Sequence, residues 1–220
     1  MLGECVLGGV DFADPDFEAA ASRLQRAHAK RAFDILVSVF GLVFLAPFFA
    51  LISILIFIDH PGPVLFCQRR TGYDGVPFVI YKFRSMRVLE DGPNVLAAER
   101  DDTRTTSLGH FLRRSSIDEL PQLLNVLKGE MSLVGPRPHA VVHDEYYAHR
   151  IPGYQLRFKA KPGITGLAQI SGFRGGAAHD GHMIDRVAHD TKYIRNWSFV
   201  LDIQILFRTM VVVPFDSAAY

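Results

Sequence analysis

A run of 24 residues without a charge, Ile35 to Ile58, interrupts the otherwise mixed pattern of the chain: ILVSVFGLVFLAPFFALISILIFI. It lacks the polar stripe that a core helix in a small domain carries. Its length is that of a membrane segment. Pro47 divides it into two arms of twelve residues. Each arm is ~18 Å long at the helical rise, roughly one leaflet of a ~30 Å hydrocarbon core. Arg23, Arg26, Lys30 and Arg31 precede the run, and Arg69, Arg70, Lys82, Arg84 and Arg87 follow it. Basic residues on both sides favour the cytoplasm for both ends. The expectation is a re-entrant helix over 30–59, kinked at Pro47, and not a straight span. Ser38 and Ser53 are the hydroxyls available to carbonyls freed by the kink.

The pattern after this run is mixed. Val64–Gln68 and Pro77–Phe83 read as strands joined by a Gly- and Asp-rich turn, which predicts a β-hairpin. Residues 89–107 are polar and charged and read as a solvated loop. Leu108–Arg114 predicts a short helix. Leu120, Leu123, Leu124 and Leu127 fall at i, i+3, i+4 and i+7, one face of a helix that Gly129 is placed to end. The chain turns at Lys161-Pro162-Gly163. Asp185–Arg195 predicts another helix. The apolar stretch 197–215 is broken by Asp202, Gln204 and Arg208, a pattern for a helix on a membrane surface or packed on the domain. The fold class expected is α+β and mainly helical. A partly helical N-terminal segment (1–29) and the membrane hairpin (30–59) precede a small cytoplasmic domain with interfacial helices (60–220).

Composition narrows the partners. In 220 residues the formal net charge is +1, which gives no basic footprint for nucleic acid. Cys5 and Cys67 are far apart, without CxxC spacing, so neither a disulfide framework nor a thiolate metal site is expected. The first twenty residues carry five acids and no base, unlike a secretory signal. No HExxH, Walker A, GxGxxG or Gly-x-Ser-x-Gly pattern occurs.

Candidate chemistry gathers in SSIDELPQLLNVLKGEMSLVGPRP, residues 115–138, where Asp118 and Glu119 stand side by side. One reading is purely structural. Asp118 caps the helix, Ser116 with Glu119 forms a capping box, and Pro121 sits in the first turn. The other is catalytic. A carboxylate at a helix N-terminus stays ionised beside a bound diphosphate and can act as a nucleophile, while Glu119 binds a divalent cation or handles a proton. Arg137 is held between two prolines and presents a bidentate phosphate ligand. Lys82 and Arg84 alternate along a strand and are expected on one face. Arg174 lies in the glycine-rich SGFRGG, a turn that can approach a phosphate closely.

Six stretches resemble the bacterial sugar transferase family, the monotopic phosphoglycosyl transferases. They are KRAFDILVSVFGLVFLAPFF, GPVLFCQRRTG, YKFRSM, SSIDELPQLLNVLKGEMSLVGPRP, KPGITGLAQISG and DTKYIRNWSFVLDIQILFRT. They cover roughly residues 30–210 in family order. The resemblance implies a monotopic protein of the bacterial inner membrane with its catalytic domain facing the cytoplasm. It implies Asp118 as nucleophile, Glu119 as its partner, and Mg²⁺ at that pair. It also places Lys82, Arg84, Arg137 and Asp190 in motifs near the active site. The implied substrates are a UDP-sugar and polyprenyl (undecaprenyl) phosphate, and a homodimer is compatible with it. The ending resembles the exopolysaccharide branch, which moves glucose 1-phosphate or galactose 1-phosphate. An N-acetylated amino sugar and a non-catalytic membrane-anchored module are the alternatives. Two features depart from the family: Ala46-Pro47 replaces Ser-Pro at the kink, and only about thirty residues precede the hairpin, as expected of either a minimal form or a shortened piece.

Overall fold

The computed structural model describes residues 14–87, 102–173 and 180–212. The fold is mainly helical, with two small two-stranded sheets. Helix α1 (Pro15–Gln25) is capped by Asp14, whose carboxylate accepts from the amides of Asp16 and Phe17. Phe17, Ala21 and Leu24 turn inward to the main core. That core also takes Phe78 and Ile80 of the β-hairpin, Leu133 and Val134, and Tyr193 and Ile194.

The apolar run forms two helices, α2 (His28–Phe44) and α3 (Ala46–Asp59), bent by 61°. No single helix among the described residues is long and apolar enough to cross a membrane. The break falls at Leu45, two residues before Pro47. Proline lacks an N–H and its ring crowds the preceding turn, so the helix yields on the proline's N-terminal side. Ser53 Oγ bonds the Phe49 carbonyl at 2.7 Å, whereas Ser38 Oγ is buried without a hydrogen-bond partner. Only one of the two expected hydroxyls therefore serves a carbonyl near the bend.

Helix α2 is inverted. Lys30, Asp34 and Ser38, four residues apart, are its buried positions, while Leu36, Phe40 and Val43 are about 70 % exposed. The buried row is well partnered at its start. Lys30 Nζ bonds Asp202 Oδ2 at 2.8 Å and the Val134 carbonyl at 3.0 Å. Asp34 accepts from Ser132 Oγ at 2.8 Å and from the Leu133 amide at 3.1 Å. Tyr193 Oη lies 2.8 Å from Asp202 Oδ1, and Trp197 Nε1 donates to Asp202 Oδ2 at 3.1 Å. Buried charges persist only when paired and hydrogen-bonded. This cluster ties the foot of the hairpin to the domain.

Strands β1 (Leu65–Thr71) and β2 (Pro77–Phe83) pair antiparallel, Leu65 opposite Phe83 and Thr71 opposite Pro77. The expected hairpin is present, with its first strand three residues longer at its C-terminal end. Helix α4 (Ser107–Arg114) is capped by Thr106, which accepts from the Gly109 amide. A side chain at Gly109 would collide with the Ser85 carbonyl, so the position demands glycine. Helix α3 packs on this region through Ile52 and Ile56 against Phe83 and Leu112.

The segment after α4 differs from expectation. Ile117–Gln122 is a 3₁₀ turn that hands over to helix α5 (Leu123–Lys128), ended by Gly129 at φ 85°. The change of pitch rotates the leucine face. Of the expected face Leu123 is buried and Leu120 and Leu127 are half-buried, but Leu124 is 39 % exposed, and Gln122, Asn125 and Val126 are buried beside Leu123. Strands β3 (Ser132–Val134) and β4 (Gly163–Thr165) pair in parallel, an element too short for periodicity to reveal. The pairing continues past β3: the Gly135 amide bonds the Thr165 carbonyl at 2.9 Å, and the Gly163 amide bonds the Pro136 carbonyl at 2.9 Å. A Cβ at Gly135 or Gly163 would strike the opposite backbone. The motifs SLVGPRP and KPGITG are thus two sides of one structural unit.

Helices α6 (Val141–Ala148), α7 (Leu167–Ile170), α8 (Asp180–Arg195) and α9 (Phe199–Val212) complete the described fold. Helix α8 starts five residues earlier than its expected start. Along α9 Asp202 and Ile205 are buried, whereas Val200, Phe207 and Met210 are more than 60 % exposed.

Removing the acceptor at the centre of the polar cluster has a predictable cost. Asp202→Ala leaves Lys30 buried without its counter-charge, and a loss of about 3–5 kcal/mol is expected in equilibrium unfolding in micelles. Replacing both partners by apolar residues, Lys30→Met with Asp202→Leu, should recover only part of it, because Trp197 Nε1 still loses its acceptor.

Candidate active site

The acid pair sits in the first turn of the 3₁₀ segment, between α4 and α5. Ser116, at φ 59°, turns the chain sharply into it. Neither capping arrangement forms. Ser116 makes no side-chain cap, and Asp118 and Glu119 lie inside the turn instead of at its cap position. The Glu119 amide bonds the Ser116 carbonyl at 3.1 Å, while the Glu119 side chain turns away to two cations.

Those cations come from distant parts of the chain. Lys82, near the end of β2, places Nζ 2.8 Å from Glu119 Oε1. Arg137 donates to both Glu119 oxygens, at 2.7 and 3.2 Å. Both Glu119 oxygens are therefore engaged by a bidentate, charge-assisted pair. Among the described residues the Asp118 carboxylate has no hydrogen-bond or ion-pair partner. It is buried all the same, at 8 % exposure. Burial, and then the neighbouring Glu119 charge, push the Asp118 carboxyl up to about 6, against the pull of Lys82, Arg113 and Arg137. One acid of the pair is clamped and the other is open and destabilised.

Arg137 is itself held from behind. Arg157, fully buried, donates from Nη2 to the Arg137 carbonyl at 2.7 Å and to Asp190 Oδ2 at 2.9 Å. Its Nη1 lies 2.6 Å from His139 Nδ1 and 3.0 Å from Tyr154 Oη. Tyr154 donates to Asp144 at 2.6 Å, and Arg186 Nη1 stands 2.9 Å from His139 Nε2. Burial and the two arginines hold the His139 imidazole well below its usual range, so it is neutral here. The backbone that presents Arg137 is fixed by prolines on either side, by β4 in front, and by this network behind.

The sequence-derived site residues divide accordingly. Asp118, Glu119, Lys82 and Arg137 come together. Arg84 does not join them. It follows the last residue of β2, and its guanidinium donates to the His60 carbonyl just past α3, against Gly62. Lys82 and Arg84 thus part company because the strand ends between them. Asp190 is buried on α8 and meets Arg157, so it reaches the acid pair only through Arg157 and the Arg137 backbone. Arg174 lies outside the described residues. Arg157, His139, Tyr154 and Arg186 carried no sequence signal.

Among the described residues no three His, Cys, Asp or Glu side chains gather to cage a metal ion. Glu119 has its oxygens occupied by Arg137 and Lys82, which does not fit the expected ligand role. Asp118 alone offers an open carboxylate. That donor set suits a Mg²⁺ that arrives with substrate phosphates, not a resident all-protein site.

Comparison with known proteins assigns the family. The family model described as "Bacterial sugar transferase" matches residues 25–216. A "UDP-glucose:undecaprenyl-phosphate glucose-1-phosphate transferase" of Caulobacter vibrioides is 50% identical over 191 residues, covering 87% of this chain and 72% of that protein. A protein of the same description from Escherichia coli K12 is 49% identical, covering 87% of this chain and 41% of its own length. The "Exopolysaccharide production protein PSS" of Rhizobium leguminosarum bv. phaseoli is 46% identical, covering 83% of this chain and 93% of that protein. The chain thus spans less than half of the E. coli relative and nearly all of the Rhizobium one. Four residues brought together from β2, the 3₁₀ turn and the loop after β3 lie within the matched region, and the chain belongs to the bacterial sugar transferase family.

Proposed function

We propose that the chain transfers glucose 1-phosphate from UDP-glucose to undecaprenyl phosphate, releasing UMP, as a membrane step of exopolysaccharide synthesis. The observation that carries the reading is the asymmetric acid pair: Glu119 clamped by two cations, Asp118 buried and open. The names of the relatives support the donor and acceptor.

In this reading an Asp118 oxygen attacks the phosphorus that bears the sugar. The bond from that phosphorus to the bridging oxygen breaks, and UMP leaves with the electron pair. The sugar phosphate is then held on Asp118 as an acyl phosphate. An oxygen of the lipid phosphate attacks the same phosphorus, the bond to Asp118 breaks, and the carboxylate is restored. One diphosphate replaces another, so catalysis rests on alignment and charge neutralisation. Lys82, Arg113 and Arg137 against Asp118 and Glu119 leave one net positive charge for the diphosphate. Glu119 acts as the template that holds Lys82 and Arg137 beside the nucleophile. When bound with the donor, Mg²⁺ supplies further neutralisation of the diphosphate.

We also propose that α2 and α3 form a re-entrant hairpin in the inner leaflet of the cytoplasmic membrane. The inverted α2, polar inward and apolar outward, supports a lipid surround, since in water such a face is costly. The hairpin then sets the acid pair near the depth of the acceptor's phosphate.

Asp118→Asn should abolish UMP release from UDP-glucose, and mass spectrometry should find no phosphosugar adduct, whereas the wild type carries one when the acceptor is withheld. A variant that turned over at wild-type rate would remove the nucleophile assignment. Because the ionised form attacks, kcat/KM for UDP-glucose should fall about tenfold per pH unit below about 6 and level off above it. For the hairpin, cysteines placed separately at His28 and Asp59 should both be labelled from the cytoplasmic side. Labelling from opposite sides would establish a straight span.

A further inference from the structure

A second charged cavity lies apart from the acid pair, at the foot of α2. Its volume is about 130 Å³, roughly ten times the ~10–15 Å³ that one ordered water needs. Its lining includes His28, Lys30, Arg31, Asp34 and Lys161, and none of the four residues of the acid-pair site. Lys30 is neutralised by Asp202. Asp34 is committed to Ser132 and the Leu133 amide. Arg31 spends its donors on the Val126 and Leu127 carbonyls at the end of α5, which are neutral groups that leave its charge uncompensated. Among the described residues Lys161 has no ion-pair or hydrogen-bond partner. The heads of Arg31 and Lys161 converge: a Cβ on Gly129 would lie 3.5 Å from Arg31 Nη2 and 3.7 Å from Lys161 Nζ. Partial burial and the Arg31 charge depress the lysine's affinity for its proton, with the Asp34 carboxylate pulling the other way. Two like charges are thus brought together beside a cavity whose Asp34 offsets only one of them, an arrangement that a bound anion would relieve.

The place of the cavity suggests which anion. Its α2 residues end at Asp34, and the apolar run begins at Ile35. With a rise of ~1.5 Å per residue, the cavity lies within about two helical turns of the first apolar residues. That is headgroup depth for a hairpin in the inner leaflet. We propose that this cavity binds a phosphate group, that of an anionic phospholipid, between Lys161 and Arg31. The site has a route to the chemistry. Ser132 and Val134 of β3 line it, and β3 runs directly into the Gly135-Pro136-Arg137 segment that clamps Glu119. The lipid source rests on the membrane placement of the hairpin proposed above, whereas the phosphate site itself does not.

The test uses the wild-type protein in nanodiscs and reads the acylation rate of Lys161 by an amine-specific reagent, relative to exposed Lys192, by mass spectrometry. Three conditions are compared: phosphatidylcholine alone, phosphatidylcholine with phosphatidylglycerol, and phosphatidylcholine with added inorganic phosphate. A bound phosphate shields the amine and favours its protonated form, so slowing of about tenfold is expected with phosphatidylglycerol, the effect of a pKa rise of about one unit. Slowing by inorganic phosphate but not by phosphatidylglycerol would keep the anion site and overturn the lipid source. Unchanged relative rates in all three conditions would overturn the site. UMP release followed in the same samples keeps this outcome separate from that of the acid pair.

Discussion

Two cations falling on one carboxylate of an adjacent acid pair is the constraint around which the rest of the site is arranged. Asp118 and Glu119 are neighbours in a tight turn, both buried, and two bare charges so placed would drive one another to protonation. Lys82 and Arg137 resolve the conflict by choosing Glu119. The clamped acid has both its oxygens hydrogen-bonded to cations. The open one keeps a carboxylate that is ionised above about 6 and poorly solvated. A poorly solvated anion with no bonds to break is a better nucleophile than a salt-bridged one.

The scaffold exists to keep Arg137 where it is. Prolines at 136 and 138 restrict its backbone, the Gly135–Thr165 and Gly163–Pro136 hydrogen bonds fix the strand before it, and buried Arg157 holds its carbonyl. The same β3 strand accepts a hydrogen bond from Lys30 and donates to Asp34, both on α2. One short strand therefore connects the foot of the apolar hairpin to the arginine of the site. The position of the hairpin and that of the site are therefore set together.

How much of this the sequence shows depends on whether the signal is local. The apolar run, the β-hairpin, α4 and the Gly129 stop were legible, because hydrophobic period and turn chemistry reside in neighbouring residues. The bend was placed at Pro47, but the helix yields at Leu45, because proline disrupts the turn before it. The leucine face holds at Leu123 but not at Leu124, because a 3₁₀ start shifts the angular position of the residues after it. The capping box is a sound local expectation, but the Glu119 side chain goes to long-range cations from β2 and the loop after β3, and Asp118 falls inside the 3₁₀ turn instead of at its cap position. Arg84 shows the converse: alternation with Lys82 held only to the last residue of β2. The buried polar residues behind Arg137 left no trace in the pattern, since their partners are far away in sequence, and β3 with β4 is too short for any period.

The raised proton affinity of the open acid, Asp118, is the claim on which everything else turns. A carboxyl-stretch infrared titration of the wild type minus Asp118→Asn isolates that single group. A midpoint near about 6 is expected, well separated from the remaining carboxylates. A midpoint in the ordinary aspartate range, near ~4, would mean that Asp118 is solvated or paired like any surface acid, and the account would be wrong at its centre.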